Sequence, residues 1–360
     1  MVARERTVVK KILFGKLNKW ALIGIAAVFI LPAFLPAAFR FYIYLASSIL
    51  LYGLAATSCN LALGYGGIFQ FHHAIFYGVG AYGAALAISR MGLSPWIAFI
   101  CGPLISALLG LIMGLLCMRL SKLYFGMLQI SLGSLVWAII YRWYSFTGGD
   151  DGIHGIPMPE ILSSPKAAYY FTLIIVSLSL FILYRIIKSP FGIALQGIRD
   201  NSVRSEMIGI NVRLHQLLTL VIAGFFAGIA GVLFVVVDNT VFPDMMFWTV
   251  SMEMVIMCLL GGWFNFMGPM AGAAAVIIIR TFSSVLVESL VKLITGIFGT
   301  VLGENVITFL KNFASAFPSY WTLVLGVICA LVIFFLPNGV LGYFDGLRNR
   351  KKAIKITQGE

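Results

Sequence analysis

The sequence predicts an all-α, polytopic transmembrane bundle of about ten spans, some of them short or re-entrant, with both termini cytoplasmic. Three observations predict it. The 360 residues are 61% hydrophobic and only 11% charged, against roughly 45–50% apolar and about 25% charged in ordinary soluble domains. Apolar runs of the roughly 20 residues that a bilayer crossing needs recur from Trp20 to Pro337. Finally, Lys and Arg gather in alternate gaps between those runs, as the positive-inside rule requires of a multi-pass chain.

Read between polar breaks, the runs are approximately 20–39, 41–63, 74–89, 96–117, 124–144, 169–187, 217–237, 249–262, 270–287 and 319–336. The run from Trp20 carries Pro32 and Pro36 and lacks a small-residue cleavage site followed by a soluble domain. It reads as an uncleaved first span or signal anchor. An even count puts both termini on one side. That side holds 18 of the 25 Lys and Arg: six before Trp20, Arg119 and Lys122, five between Arg185 and Arg213, and five after Gly346. The opposite loops hold Arg40, Arg90, Lys166, Lys292 and Lys311. Residues 1–19 and 345–360 are thus basic cytoplasmic ends flanking a membrane domain, 20–344. The excess of +12 is explained by topology and anionic lipid, without nucleic acid.

Five cysteines, Cys59, Cys101, Cys117, Cys258 and Cys329, fall within or at the ends of apolar runs and form no CxxC pair. They read as small buried apolar residues, with no metal site or disulfide framework.

Two inner turns carry no charge: "GYGGIFQFHH" (64–73) and "GGWFNFMGP" (261–269). Each adjoins a short apolar segment, 74–89 or 249–262, reaching only about 24 and 21 Å against a hydrocarbon core of roughly 30 Å. Each pair is either two spans or one re-entrant hairpin. Short, Gly-interrupted segments in corresponding places mark a transport path. The alternative is that the glycines only let helices approach closely, which is the expectation for Gly110/Gly114, Gly224/Gly228 and Gly268/Gly272.

Among smaller motifs, "GVGAYG" (Gly78, Gly80, Gly83) matches a dinucleotide fingerprint in letters. It lies inside an apolar run, with no acidic residue about 20 positions later, and so reads as packing. The sequence contains no G-x-x-x-x-G-K-[ST], so any ATP that drives it binds another polypeptide. "TGGDDGIHGIP" (147–157) reads as a Gly-rich outer turn closed by local hydrogen bonds. A metal or proton-relay site from Asp150, Asp151 and His154 is the sharper alternative. Gln70, His72 and His73 either line a path or satisfy the backbone of a broken helix. Glu253 and Arg280 are intramembrane charges placed to pair with each other.

"RDNSVRSEMIGINVR" (199–213) is the polar exception. A helix is expected from Arg199, with Asp200 and Asn201 in its first turn or cap and Gly209 at its left-handed end. Arg204, Glu206 and Arg213 should remain in water, with Ile198, Met207, Ile208 and Ile210 as an exposed apolar set. Such a helix either rests on lipid or docks in a partner's groove.

The quoted motifs, with "LYFGMLQISLG" (123–133), "SPFGIALQGIRDNSVRSEMIGINVRLHQLLTLVIAGFFAGIAGVLF" (189–234), "MEMVIMCLLGGWFNFMGPMAGA" (252–273) and "LPNGVLGYFDGL" (336–347), resemble one family. It is that of the membrane-permease subunits of ABC importers for branched-chain amino acids and their relatives for urea, amides and aromatic acids. The resemblance covers residues 41–347. It implies a bacterial or archaeal cytoplasmic (inner) membrane protein that pairs with a homologous second permease. Two cytoplasmic ABC ATPases would carry ATP and Mg, while this chain binds no cofactor and has no catalytic residue. A periplasmic or extracellular substrate-binding protein would deliver solute.

On that resemblance residues 190–213 are the coupling segment, with Arg199, Asp200, Asn201, Arg204, Glu206, Gly209 and Asn211 as coupling residues. Asn60, Gln70, His73 and Glu253 are candidates to line the path. Two departures stand out: His72 replaces the small residue usual before the family's histidine, and residues 288–318 form a longer, amphipathic outer insertion. The competing readings are a stand-alone secondary transporter and a polytopic membrane enzyme.

Overall fold

A computed structural model of the chain describes residues 40–120 and 122–282, with positions 326 and 330. The expected segments 20–39 and 319–336, the insertion 288–318 and both basic ends lie outside the described residues. The other expected runs fall on helices as far as their residues are described. Five are long and apolar enough to cross a membrane: Arg40–Tyr65, Pro95–Cys117, Leu123–Arg142, Pro165–Lys188 and Val212–Asp238. Three are shorter: Ala74–Ser89, Trp248–Gly261 and Gly268–Phe282.

In chain order the elements are α1 (Arg40–Asn60), α2 (Ala74–Ser89), α3 (Pro95–Cys117), α4 (Lys122–Arg142), α5 (Tyr144–Thr147) and β1 (Ile153–His154), followed by α6 (Pro165–Lys188), α7 (Pro190–Asp200), α8 (Ser202–Met207), α9 (Val212–Asp238), β2 (Thr240–Val241) and α10 (Trp248–Gly261). The helix Gly268–Phe282 is α11. Local chemistry sets several starts. Helices α3, α6 and α7 each open on Ser-Pro, at Ser94, Ser164 and Ser189, where proline's missing N–H and fixed φ suit the first helical position. Ser164 Oγ also accepts from the amide of Ala167.

α9 is the axis of the bundle, packed by α1, α2, α3 and α6. Its small residues make this possible. Gly228 meets Pro103 and Ser106 of α3, and Gly231 meets the Tyr77 carbonyl of α2. Within lipid, close backbone approach and dispersion replace the hydrophobic effect as the force that joins helices. The expected packing glycines behave accordingly. Gly110 abuts Leu220, Gly224 abuts Ser106, and Gly80 of "GVGAYG" abuts Gly228. Ser106 Oγ lies 2.8 Å from the Phe76 carbonyl and 2.7 Å from that of Gly224, stitching α2, α3 and α9 together.

The bundle has two ends. At one, Arg199 meets Gly64, and Phe191 of α7 stacks on His215 of α9. At the other, Tyr44 donates to Asp238, and Arg90 Nε donates to the Phe146 carbonyl. There the loop 147–157 is fastened to the end of α9 by an antiparallel β1–β2 ladder, Ile153 opposite Val241 and His154 opposite Thr240. The turn reading of this loop holds. Tyr144 donates to Asp151 at 2.7 Å, the His154 ring bonds the Asp151 carbonyl, and Gly148, Gly149, Gly152 and Gly155 all have positive φ. Among the described residues no cluster of three His, Cys, Asp or Glu has metal-binding geometry, and the four described cysteines are free.

Candidate solute path and coupling segment

The first chargeless break folds back into the bundle. α1 ends in a wide turn, Leu61–Tyr65, with a π-type bond from Gly66 N to the Leu61 carbonyl. Such turns concentrate at functional sites. The chain then climbs beside α4: Gly126 faces Phe71 and the Phe69 carbonyl, whereas Gly133 faces the His72 ring. Seven helical steps lead from one glycine to the other, a rise of about 10 Å. Only then does α2 begin, at Ala74, inside the bundle, its first amide held by Ser251 Oγ at 2.9 Å. α2 is one of the shorter apolar helices, and 66–73 is irregular backbone of the kind that membranes tolerate only against protein or a water-lined cavity.

This break carries the polar residues inward. Asn60, Gln70, His72 and His73 are all essentially fully buried. His73 shares a 2.8 Å hydrogen bond with Ser58 of α1. His72 Nε2 donates to the Met246 carbonyl at 2.8 Å, and its Nδ1 lies 3.3 Å from the Ile130 carbonyl. The unusual histidine thus bridges α4 and the turn that precedes α10, in space that Gly133 leaves open. Asn60 Nδ2 donates to the Trp263 carbonyl at 2.9 Å. Yet both amide atoms of Gln70, Asn60 Oδ1, His73 Nδ1 and Gln129 Oε1 are buried with no hydrogen-bond partner among the described residues. Buried polar groups are nearly always satisfied by protein or water; Tyr77, Tyr82, Trp137 and Thr172 hold such atoms as well.

Glu253 stands apart from this group. Its Oε2 lies 3.6 Å from Arg280 Nη1, and its side chain is 14% exposed. The expected pairing of these two intramembrane charges is present. Ser58, Ser251 and Gln129, by contrast, escaped the sequence reading. Their only signal was a polar side chain within an apolar helix, and that does not say which face is buried.

The second break, 262–267, is different in kind. α10 and α11 form a tight hairpin. Gly261 and Gly268 face each other's backbone, and Gly272 abuts the Met257 carbonyl. Phe264 and Met267 are exposed.

The polar segment 190–213 corrects two expectations. The single helix beginning at Arg199 is instead two helices. α7 runs Pro190–Asp200, and Asn201, with extended φ −158° and ψ 102°, caps α8 by accepting from Arg204 N at 2.9 Å. The asparagine side chain competes for backbone donors and restarts the helix. Asp200 is thereby the last residue of α7, not part of a first turn. α8 closes as expected at Gly209, φ +88°, with Gly209 N donating to Glu206 O and Ile210 N to Ser205 O, the paired bonds of a Schellman ending.

Ile198 is the second correction. It is buried with Gly192 and Leu195, the three-residue spacing of an inward helix face, while Met207 and Ile208 are strongly exposed and Ile210 only partly so. Asp200, Arg204, Glu206 and Arg213 are exposed. Asn211 caps α9 through Leu214 N. Arg199 turns inward, its Nη1 donating to the Gly64 carbonyl at 2.9 Å.

Residues 41–336 match the family described as branched-chain amino acid transport system / permease component. The chain belongs to that family. The high-affinity branched-chain amino acid transport system permease protein LivM of Escherichia coli K12 is 24% identical over 324 residues, covering 82% of this chain and 69% of that protein. The corresponding LivM of Salmonella typhimurium LT2 matches at the same identity and coverage. A probable branched-chain amino acid transport permease protein LivM of Methanocaldococcus jannaschii is 22% identical over 342 residues, 81% of this chain and 90% of its own length. No solved structure matches. The chain is thus a multi-pass membrane permease subunit of an ABC importer. Permeases of this family work with ATPases and a substrate-binding protein.

Proposed function

We propose that this chain forms half of a path for branched-chain amino acids across the cytoplasmic membrane, paired with a homologous second permease. The observation that carries the reading is the break that folds back into the bundle. Its unpartnered Gln70, Asn60 and His73 atoms offer polar partners at membrane depth to a small zwitterion or its water. Segment 190–213, with exposed Asp200, Arg204 and Glu206, lies at the end where α1 reaches Gly64. On this reading it docks two cytoplasmic ATPases, which supply ATP and Mg. A soluble binding protein meets the opposite end, where the loop 147–157 is braced on α9. The chain itself makes and breaks no covalent bond.

The test is affinity purification of the tagged chain from its native membranes, followed by leucine uptake in proteoliposomes. A second permease and P-loop ATPases should co-purify, be lost when Arg204 and Glu206 are charge-reversed, and support uptake only with internal ATP. A chain that comes out alone and still transports, driven by an ion gradient, would be a secondary transporter.

A further inference from the structure

We propose that Arg199 is a positioning residue that ties the segment 190–213 to both chargeless breaks at once, so that a displacement of α7 is passed to residues 64–67 and 262–264 together. The proposal rests on the importer reading above and assigns the transmission to one side chain.

The guanidinium has three kinds of partner. Nη1 donates to the Gly64 carbonyl at 2.9 Å, while Nε and Nη2 both donate to Asp200 Oδ1, at 2.9 and 2.8 Å. Its central carbon stands 5.2 Å from the centroid of the Phe264 ring. The Asp200 pair fixes the plane of the fork, one edge then meets the first break, and its face meets the second. The stem takes part too. Gly67, with φ +61°, lies so close that a side chain there would strike Arg199 Cγ. Only glycine combines that conformation with that approach.

The Gly64 carbonyl is available because the turn that ends α1 is wide. Gly66, Gly67 and Ile68 donate to Leu61, Leu63 and Ala62, so the Gly64 oxygen receives Arg199. The two breaks are also joined directly, through Asn60 Nδ2 on the Trp263 carbonyl. A cation that merely capped the last carbonyls of α1 would satisfy helix-end chemistry. It would need neither the aromatic ring of the second break nor the glycine of the first. Lysine could supply the charge but not the planar fork.

The experiment uses the whole complex, permeases, ATPases and binding protein, in proteoliposomes, with leucine as probe and ATP hydrolysis measured in parallel. In Arg199→Lys the leucine moved per ATP hydrolysed should fall about tenfold. Phe264→Leu should give a smaller loss of the same kind. An unchanged ratio in Arg199→Lys overturns the proposal. If that variant does not assemble, an unchanged ratio in Phe264→Leu does so instead.

Hydrogen exchange on the permease alone reads the ties without any partner. Arg199→Lys should quicken exchange in both 64–68 and 262–267. Quickening of one stretch only, or of neither, overturns the proposal. A wild-type complex without ATP-driven uptake would sink the importer reading and leave this exchange result standing.

Discussion

The two chargeless breaks are nearly interchangeable as strings of glycine and aromatic residues, yet the fold uses them in opposite ways. Residues 66–73 dive into the bundle and bury Gln70, His72 and His73, whereas 262–267 make a surface hairpin with Phe264 59% exposed. Polar side chains account for the difference. The first break can enter the bundle because Ser58 and the carbonyls of Met246 and Ile130 meet its rings, and Ser251 meets the Ala74 amide that follows it. The second offers little to place at depth, and its glycines instead bring α10 and α11 into backbone contact. A chargeless break is therefore a path candidate when it brings hydrogen-bonding groups of its own.

Four measurements break or sharpen that contrast. The largest effect is expected from Gly272→Leu in the second hairpin. Its side chain would meet the Met257 carbonyl, where backbone cannot yield. Overpacking of this kind costs about 3 kcal/mol or more, and size-exclusion chromatography in detergent should show loss of the monodisperse peak. A normal peak would mean that the hairpin is not closed by backbone contact.

Gln70→Leu attacks the first break through function instead. Replacing a buried amide that has no hydrogen-bond partner among the described residues should leave the melting temperature unchanged or raised, while uptake falls by about tenfold. Equal losses of both would make Gln70 structural.

His72→Ala removes the donor to the Met246 carbonyl and the ring beside Gly133. The expected destabilisation is about 1–3 kcal/mol, read as a lower melting temperature. No shift would show that the segment holds without this bridge.

The smallest effect concerns Glu253 and Arg280, at 3.6 Å with the arginine half-exposed. In a double-mutant cycle with glutamine at each, the coupling should be about 0.5–1 kcal/mol. Strictly additive losses would mean that the two charges do not stabilise each other.

Legibility differed by region. The run 96–117 lies within Pro95–Cys117 and 217–237 within Val212–Asp238, because apolarity along the chain is local. Asn201 was legible as a cap and Gly209 as a left-handed end for the same reason. That Asn201 begins a second helix was not, since the apolar spacing of Gly192, Leu195 and Ile198 acquires its meaning only against the packed bundle. Of the path candidates, Asn60 bonds Trp263, His73 bonds Ser58, and Glu253 pairs with Arg280. A polar residue in an apolar run announces only that it needs a partner.

The sequence by itself determined the mostly helical membrane class, the Asn201 cap, the Gly209 end and the family, all of which depend on neighbours along the chain. Only the tertiary structure decided which break folds into the bundle, that His72 bridges α4 to the approach to α10, and that Arg199 points inward to two distant loops. Those contacts join residues 58 to 174 positions apart. Their strength comes from burial away from water, which no local pattern specifies.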